Sequence, residues 1–236
     1  MVIPKVCEVC GKEFDVQHGV HGFCSNECRE KVHKPKTFLE SERPCPEYGQ
    51  GEAKSLTNED YDRLMQQGYT SYSNQNFLRA WYFCFDKINR SNKKSLDSLL
   101  NSVFCLMKAG SVRPYYFSDI KFTDTVHAKI TDILTFAPDS LEAQELRAEL
   151  YIKQGHALEG SNHTQREQLF YQAYSTLLQI HGRKRDDLQI KFNMAETLLE
   201  LEDREREAVK LLEDILASPI RKSETFTTKV CSKLAE

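Results

Sequence analysis

The stretch CEVCGKEFDVQHGVHGFCSNEC, residues 7–28, constrains this chain more than any other part of it. It holds one cysteine pair two residues apart, Cys7 and Cys10, and a second three residues apart, Cys24 and Cys28. Zinc takes four ligands in a tetrahedron and thiolates suit it well, so the two pairs fit a single four-thiolate site. A module this short has too little apolar material to fold unaided. Metal binding, on the order of 10–16 kcal/mol at neutral pH, would supply most of its folding energy. Four protein thiolates leave no open position for water or substrate, so the expected cofactor is one structural Zn2+ per chain. His18, His21 and His33 lie nearby in sequence and read as surface or supporting residues.

The local signals around these cysteines agree with that reading. Cys7-x2-Cys10 followed by Gly11 fits a knuckle turn, because glycine permits the tight backbone. The interval from Cys10 to Cys24 is long enough for a small hairpin, with turns at Gly19 and Gly22 and with Phe14, Val20 and Phe23 to pack it. Ser25 can cap a short helix that runs to about Val32 and stops before Pro35. Cys28 then sits in the first helical turn, where the helix dipole favours a thiolate. Knuckle, hairpin and ligand-bearing helix make a treble clef. The matching residues Cys7, Cys10, Gly11, Lys12, Phe14, Phe23, Cys24, Ser25 and Cys28 give the pattern CxxCGKxF…FCSxxC. That pattern resembles the short FCS, MYM and TRASH-type fingers and the small bacterial gyrase-inhibitor zinc finger. The resemblance implies a fold and a metal, but such fingers bind proteins, bind nucleic acids or brace a neighbour. Here the finger is joined to a large helical region, unlike the gyrase-inhibitor type, so that activity is not expected.

The remainder of the chain reads as helix after helix. Residues 1–42 form the expected finger, 43–57 a linker rich in proline and glycine, and 58–236 a helical domain. Thr57 with Asp60 three residues on reads as a helix start. Apolar stripes at helical spacing follow. One is Phe170, Ala173, Tyr174, Leu177, Leu178 and Ile180; a second is Phe192, Ala195, Leu198, Leu199 and Leu201; a third is Ala208, Val209, Leu211, Leu212, Ile215 and Leu216. Breaks are expected near Asn74, Ser91, Gly110, Pro114, Pro138, Gly160, Gly182, Asp203 and Pro219. Leu64, Gly68 and Ala80 stand at the small and apolar offsets of a helix-hairpin repeat, and a further unit is expected to start near Leu188. These residues resemble tetratricopeptide-type repeats of about 34 residues each. The segment from Ser95 to Thr123 fits that register badly, because VRPYYFSDIKF interrupts it. The fold class is therefore mainly α: a treble-clef finger followed by tetratricopeptide-like repeats, four or five degenerate pairs. The resemblance implies a concave groove that takes a protein or peptide.

Composition narrows the function classes. A net charge of −3 gives no global attraction to nucleic acid or anionic lipid. A mean hydropathy of −0.56, and no long apolar run, argue against a membrane span. The first residues lack the apolar core of a secretory signal. Cys45, Cys84, Cys105 and Cys231 are scattered rather than patterned as a disulfide framework, which favours a reducing, cytoplasmic setting. There is no phosphate loop, HExxH or nucleophile elbow, so no enzyme is expected. Trp81 and its aromatic neighbours in FLRAWYFCF read as core, and His127, His156, His163 and His181 as surface histidines. Arg113 with Tyr115 and Tyr116 is a weaker candidate for a binding loop. The expected function is a non-enzymatic adaptor that binds a protein or peptide. The alternative is a nucleic-acid-associated factor that uses the finger and the basic segment 29–36, where Arg29, Lys31, His33, Lys34 and Lys36 cluster. A second cluster, Arg183, Lys184 and Arg185, is followed by Asp186 and Asp187 and reads as a solvated face.

Overall fold

The computed structural model describes residues 4–6, 13–15, 55–158, 162–220 and 222–235. The chain divides into two units, Met1–Arg43 and Pro44–Glu236. In the first, β1 (Pro4–Val6) pairs antiparallel with β2 (Glu13–Asp15), with Pro4 opposite Asp15, Lys5 opposite Phe14 and Val6 opposite Glu13. The sequence places a hairpin wholly between Cys10 and Cys24. Of that interval only β2 is described, and its partner is β1, upstream of Cys7.

The second unit is helical. Its elements are α1 (Asn58–Ser73), the unbroken run Phe77–Arg79, Ala80–Phe85 and Asp86–Asn89, here α2, then α3 (Leu96–Val112) and a 3₁₀ turn (Pro114–Ser118). There follow α4 (Ile120–Phe136), α5 (Leu141–Ala157), α6 (His163–Arg183), α7 (Leu188–Leu199), α8 (Glu205–Ala217) and α9 (Glu224–Ala235). Capping chemistry explains most of the starts. The side chains of Thr57, Ser95, Asp119, Ser140, Asn162 and Asp187 each accept a backbone N–H from the first turn that follows. Thr57 and Asp60 complete the expected capping box. The stops are equally local: Pro114, Pro138 and Pro219 each lie just beyond a helix end.

Neighbouring helices pack as antiparallel pairs. In α5 and α6, Glu145 near one start meets Lys184 past the opposite end, while Gly155 near the far end meets Phe170. First helices of successive pairs run in the same direction. Tyr61 of α1 bonds Ser95 at the head of α3, and Tyr69 bonds Asn101 about two turns further on. A close contact at the first helix of a pair recurs, twice against the second helix and once against the 3₁₀ corner. A Cβ on Gly68 would stand 2.5 Å from the Phe85 ring, one on Gly110 2.5 Å from the Phe117 ring, and one on Gly155 2.7 Å from the Phe170 ring. In each case a phenyl ring occupies the space that a side chain would need.

The core lies between pairs as a succession of clusters. Leu56, Leu64, Met65, Ala80, Phe85, Ile88 and Cys105 form one; Ala148, Leu177, Ile180, Ile190 and Met194 another; Phe170, Phe192, Ala195, Leu198, Ala208, Leu212, Ile215 and Val230 a third. Leu178 and Val209, read as stripe members, are exposed instead, because they fall on the outer shoulder of their helices. One further expectation changes. Gly110 does not break a helix: α3 runs through it to Val112, since the Phe117 ring makes glycine necessary there. The interruption expected at VRPYYFSDIKF is a 3₁₀ corner between α3 and α4, whose Tyr116 and Phe117 are buried. Among the described residues no helix is long and apolar enough to cross a membrane.

Candidate binding groove

The first helices of the last three pairs, α3, α5 and α7, line a concavity of about 510 Å³. From α3 comes Phe104. From α5 come Glu142, Glu145, Leu146, Glu149, Ile152, Lys153 and His156, spaced three or four apart and hence on one face. From α7 come Gln189, Asn193 and Glu196, again on one face, and Leu177 of α6 forms part of the floor. Leu146 and Leu177 are buried, whereas Phe104 is 38% exposed, so the groove has an apolar base and one aromatic that water still reaches. Tyr69 of α1, 47% exposed, continues the aromatic surface toward the first pair through its bond to Asn101.

Charge in this groove is lopsided: four carboxylates face one lysine. Glu149 pairs loosely with Lys153, at 3.7 Å. Glu145 accepts a bond of 2.6 Å from the Lys184 Nζ. That bond, and the charges of Glu145, Asp187 and Glu142, hold the Lys184 ammonium above its usual lysine range. Across the groove, Gln189 Nε2 donates to Asn193 Oδ1 at 2.8 Å. That leaves the Asn193 amide hydrogens and the Gln189 carbonyl for another partner.

The residues singled out from sequence fall elsewhere. Cys7, Cys10, Cys24 and Cys28, the basic segment 29–36, His18, His21, His33 and Cys45 lie outside the described residues. Among the described residues no group of three or more His, Cys, Asp or Glu is placed to hold a metal ion. Arg113 Nη1 donates to the hydroxyl of the fully buried Tyr116 at 2.7 Å, while Tyr115 beside them is exposed. Trp81 packs partly buried against the first core cluster, within a six-residue π-helical turn, Ala80–Phe85. Arg183 pairs with Asp139 and Lys184 with Glu145, so two of the three residues in that basic cluster bind their own chain.

No family model, curated protein or solved structure matches the chain.

Three of the histidines have partners rather than being merely exposed. His127 shares a hydrogen bond with Gln154, at 3.1 Å, and its ring lies against Tyr151. His156, in the groove lining, packs edge-on to Phe170 and lies 3.8 Å from Glu200. Glu200 also binds Arg166, and Glu202 meets His163 at 3.1 Å. The acidic and basic run ELEDRERE therefore ties the turn after α7 back onto α5 and α6, which its alternating charges alone do not reveal. Sequence reading expected a groove from the repeat resemblance but named none of its lining residues. Its signal was present in the carboxylates of α5, one helical turn apart among apolar residues.

Proposed function

We propose that this protein is a non-enzymatic, zinc-binding adaptor of the reducing intracellular milieu, whose helical pairs are tetratricopeptide-like repeats that hold a protein or peptide. The observation that carries this reading is the groove along α3, α5 and α7: a shared face of successive first helices, concave, with Phe104 exposed above an apolar base. Stacked pairs, parallel first helices and the recurring glycine–phenyl contacts support the repeat assignment. The test uses the full-length chain with a photo-crosslinking phenylalanine analogue at Phe104, and at Val209 on the outer shoulder of α8 as the comparison. A partner should crosslink from Phe104 and not from Val209, and Phe104→Glu should abolish its capture. A partner held through Val209 and indifferent to Phe104→Glu would overturn the reading.

The finger supplies the second half of the proposal. Cys7, Cys10, Cys24 and Cys28 would hold one Zn2+ as thiolates, a closed set that braces the fold and leaves the metal no reaction to perform. The antiparallel pairing of β1 with β2 agrees with a finger that carries a small hairpin. Elemental analysis should find one zinc per chain, and Cys24→Ser should lower that content severely. A metal-free full-length chain with protected N-terminal amides would refute this site.

A further inference from the structure

A second concavity adjoins the groove, and Gln189, near the head of α7, lines both. The second one, of about 470 Å³, lies between the start of α7 and α9. Its apolar side chains are Leu188, Ile220 and Phe226. Phe226 is fixed by the Phe192 ring, edge-on at 5.6 Å, and Val230 one turn on is fully buried, so α9 holds its place against α7. Ile220, by contrast, is 42% exposed, an apolar side chain that water still reaches. Lys222 Nζ donates to the carbonyls of Ser218, at 2.5 Å, and Ile220, at 3.3 Å, which ties down the connection that presents Ile220. Lys229 is different. It lines the concavity one turn along α9 from Phe226, is exposed, and has no hydrogen bond or ion pair from its ammonium among the described residues. Asp186 is the one carboxylate in this lining, against two ammonium groups.

We infer that this concavity receives an acidic residue and its apolar neighbour from the partner's segment, with the apolar side chain among Leu188, Ile220 and Phe226 and the carboxylate on Lys229. This rests on the reading of the groove as the partner site and carries that site past α7 onto α9. An extended chain fits, because the two concavities meet at Gln189 and one ligand fills both only by passing over it. The sign follows from the lining, where two ammonium groups outweigh one carboxylate and favour an anionic group. The Ser223 and Thr225 hydroxyls border the same space and donate to no group among the described residues, which adds two donors for a carboxylate. The whole chain, at −3, gives anions no general attraction, so a preference for acid comes from this site and not from the molecule's overall field.

The experiment uses the full-length chain and three fluorescein-labelled synthetic peptides of equal length, built from serine, glycine and one leucine, with both ends blocked. They differ only in the residue beside the leucine: glutamate, glutamine or lysine. Fluorescence anisotropy at low salt should show the glutamate peptide binding saturably and about fivefold tighter than the other two. Lys229→Glu should reverse the order, so that the lysine peptide binds tightest, and Ile220→Ser should weaken all three. Lys210→Glu, the same charge change on exposed α8 surface outside the site, should change nothing, and thermal melting should show all variants folded. A glutamate preference that survives Lys229→Glu, or equal binding of the glutamate and glutamine peptides, would overturn the inference. So would binding indifferent to Ile220→Ser, and so would binding of none of the peptides. The crosslinking at Phe104 decides the groove reading separately: a partner caught there, with no glutamate preference at Lys229, keeps the groove and removes its extension onto α9.

Discussion

A methyl group added at Gly155 has nowhere to go, because the Phe170 ring would stand 2.7 Å from it. Alanine in a helix normally gains up to about 1 kcal/mol over glycine. Forcing a side chain into a filled site costs about 1–3 kcal/mol, so the steric effect wins. Gly155→Ala should therefore destabilise, measured by urea unfolding, and Phe170→Leu in the same chain should recover part of the loss. Gly182→Ala provides the opposite sign: nothing lies within 4 Å of a Cβ there, and the substitution should be neutral or stabilising. Cys105 is a second single-residue case. Burial, then the neighbouring Cys84 thiol, pushes it from 9.0 up to about 12. Below pH 9 both folded and unfolded chains keep the proton and nothing changes. Between 9 and 12 the unfolded chain has lost a proton that the folded chain retains, so stability falls as pH rises, by up to about 1.4 kcal/mol per pH unit. Cys105→Ala should flatten that part of the stability profile, whatever it costs at neutral pH through the cavity.

At the scale of the element, helix starts depend on single side chains. Asp119 accepts from the backbone N–H groups of Lys121, at 2.8 Å, and Phe122, at 3.3 Å. Asp119→Ala should cost about 1 kcal/mol, read from urea unfolding, with the loss concentrated in faster amide exchange over the first turn of α4. These starts and stops were legible in the sequence because they are local: Thr57, Leu188, Pro114, Pro138 and Pro219 each act on the few residues beside them. Gly110 was misread for the opposite reason. A glycine looks the same in sequence whether it ends a helix or admits a ring from another element, and only the position of Phe117 distinguishes the two. The π turn at Ala80–Phe85 was likewise hidden, since a run of aromatics satisfies core burial in either helical geometry.

At the scale of the molecule, each core cluster joins elements close in sequence, so stability should be regional. Leu212 is fully buried among residues of α7 and α8, and Leu212→Ala should cost about 2–5 kcal/mol there. Hydrogen exchange should speed up in α7 to α9 while α1 and α2 keep their protection; uniform loss along the chain would contradict a linear stack. The groove belongs to this scale, which is why it was the least legible feature. Glu142 and Glu149 show a shared face of α5 by their spacing, but Phe104 and Glu196 join that face only when three helices are laid side by side.

The glycine–phenyl contact also bears on how such a chain can change length. Gly68 reaches Phe85, Gly110 reaches Phe117 and Gly155 reaches Phe170 across unequal stretches of chain, yet the contact is the same. The close approach is thus fixed by a ring laid against a bare backbone and not by the number of residues between them. Such a contact needs only a bare backbone and a ring, so it can persist between elements whose connection has no fixed length.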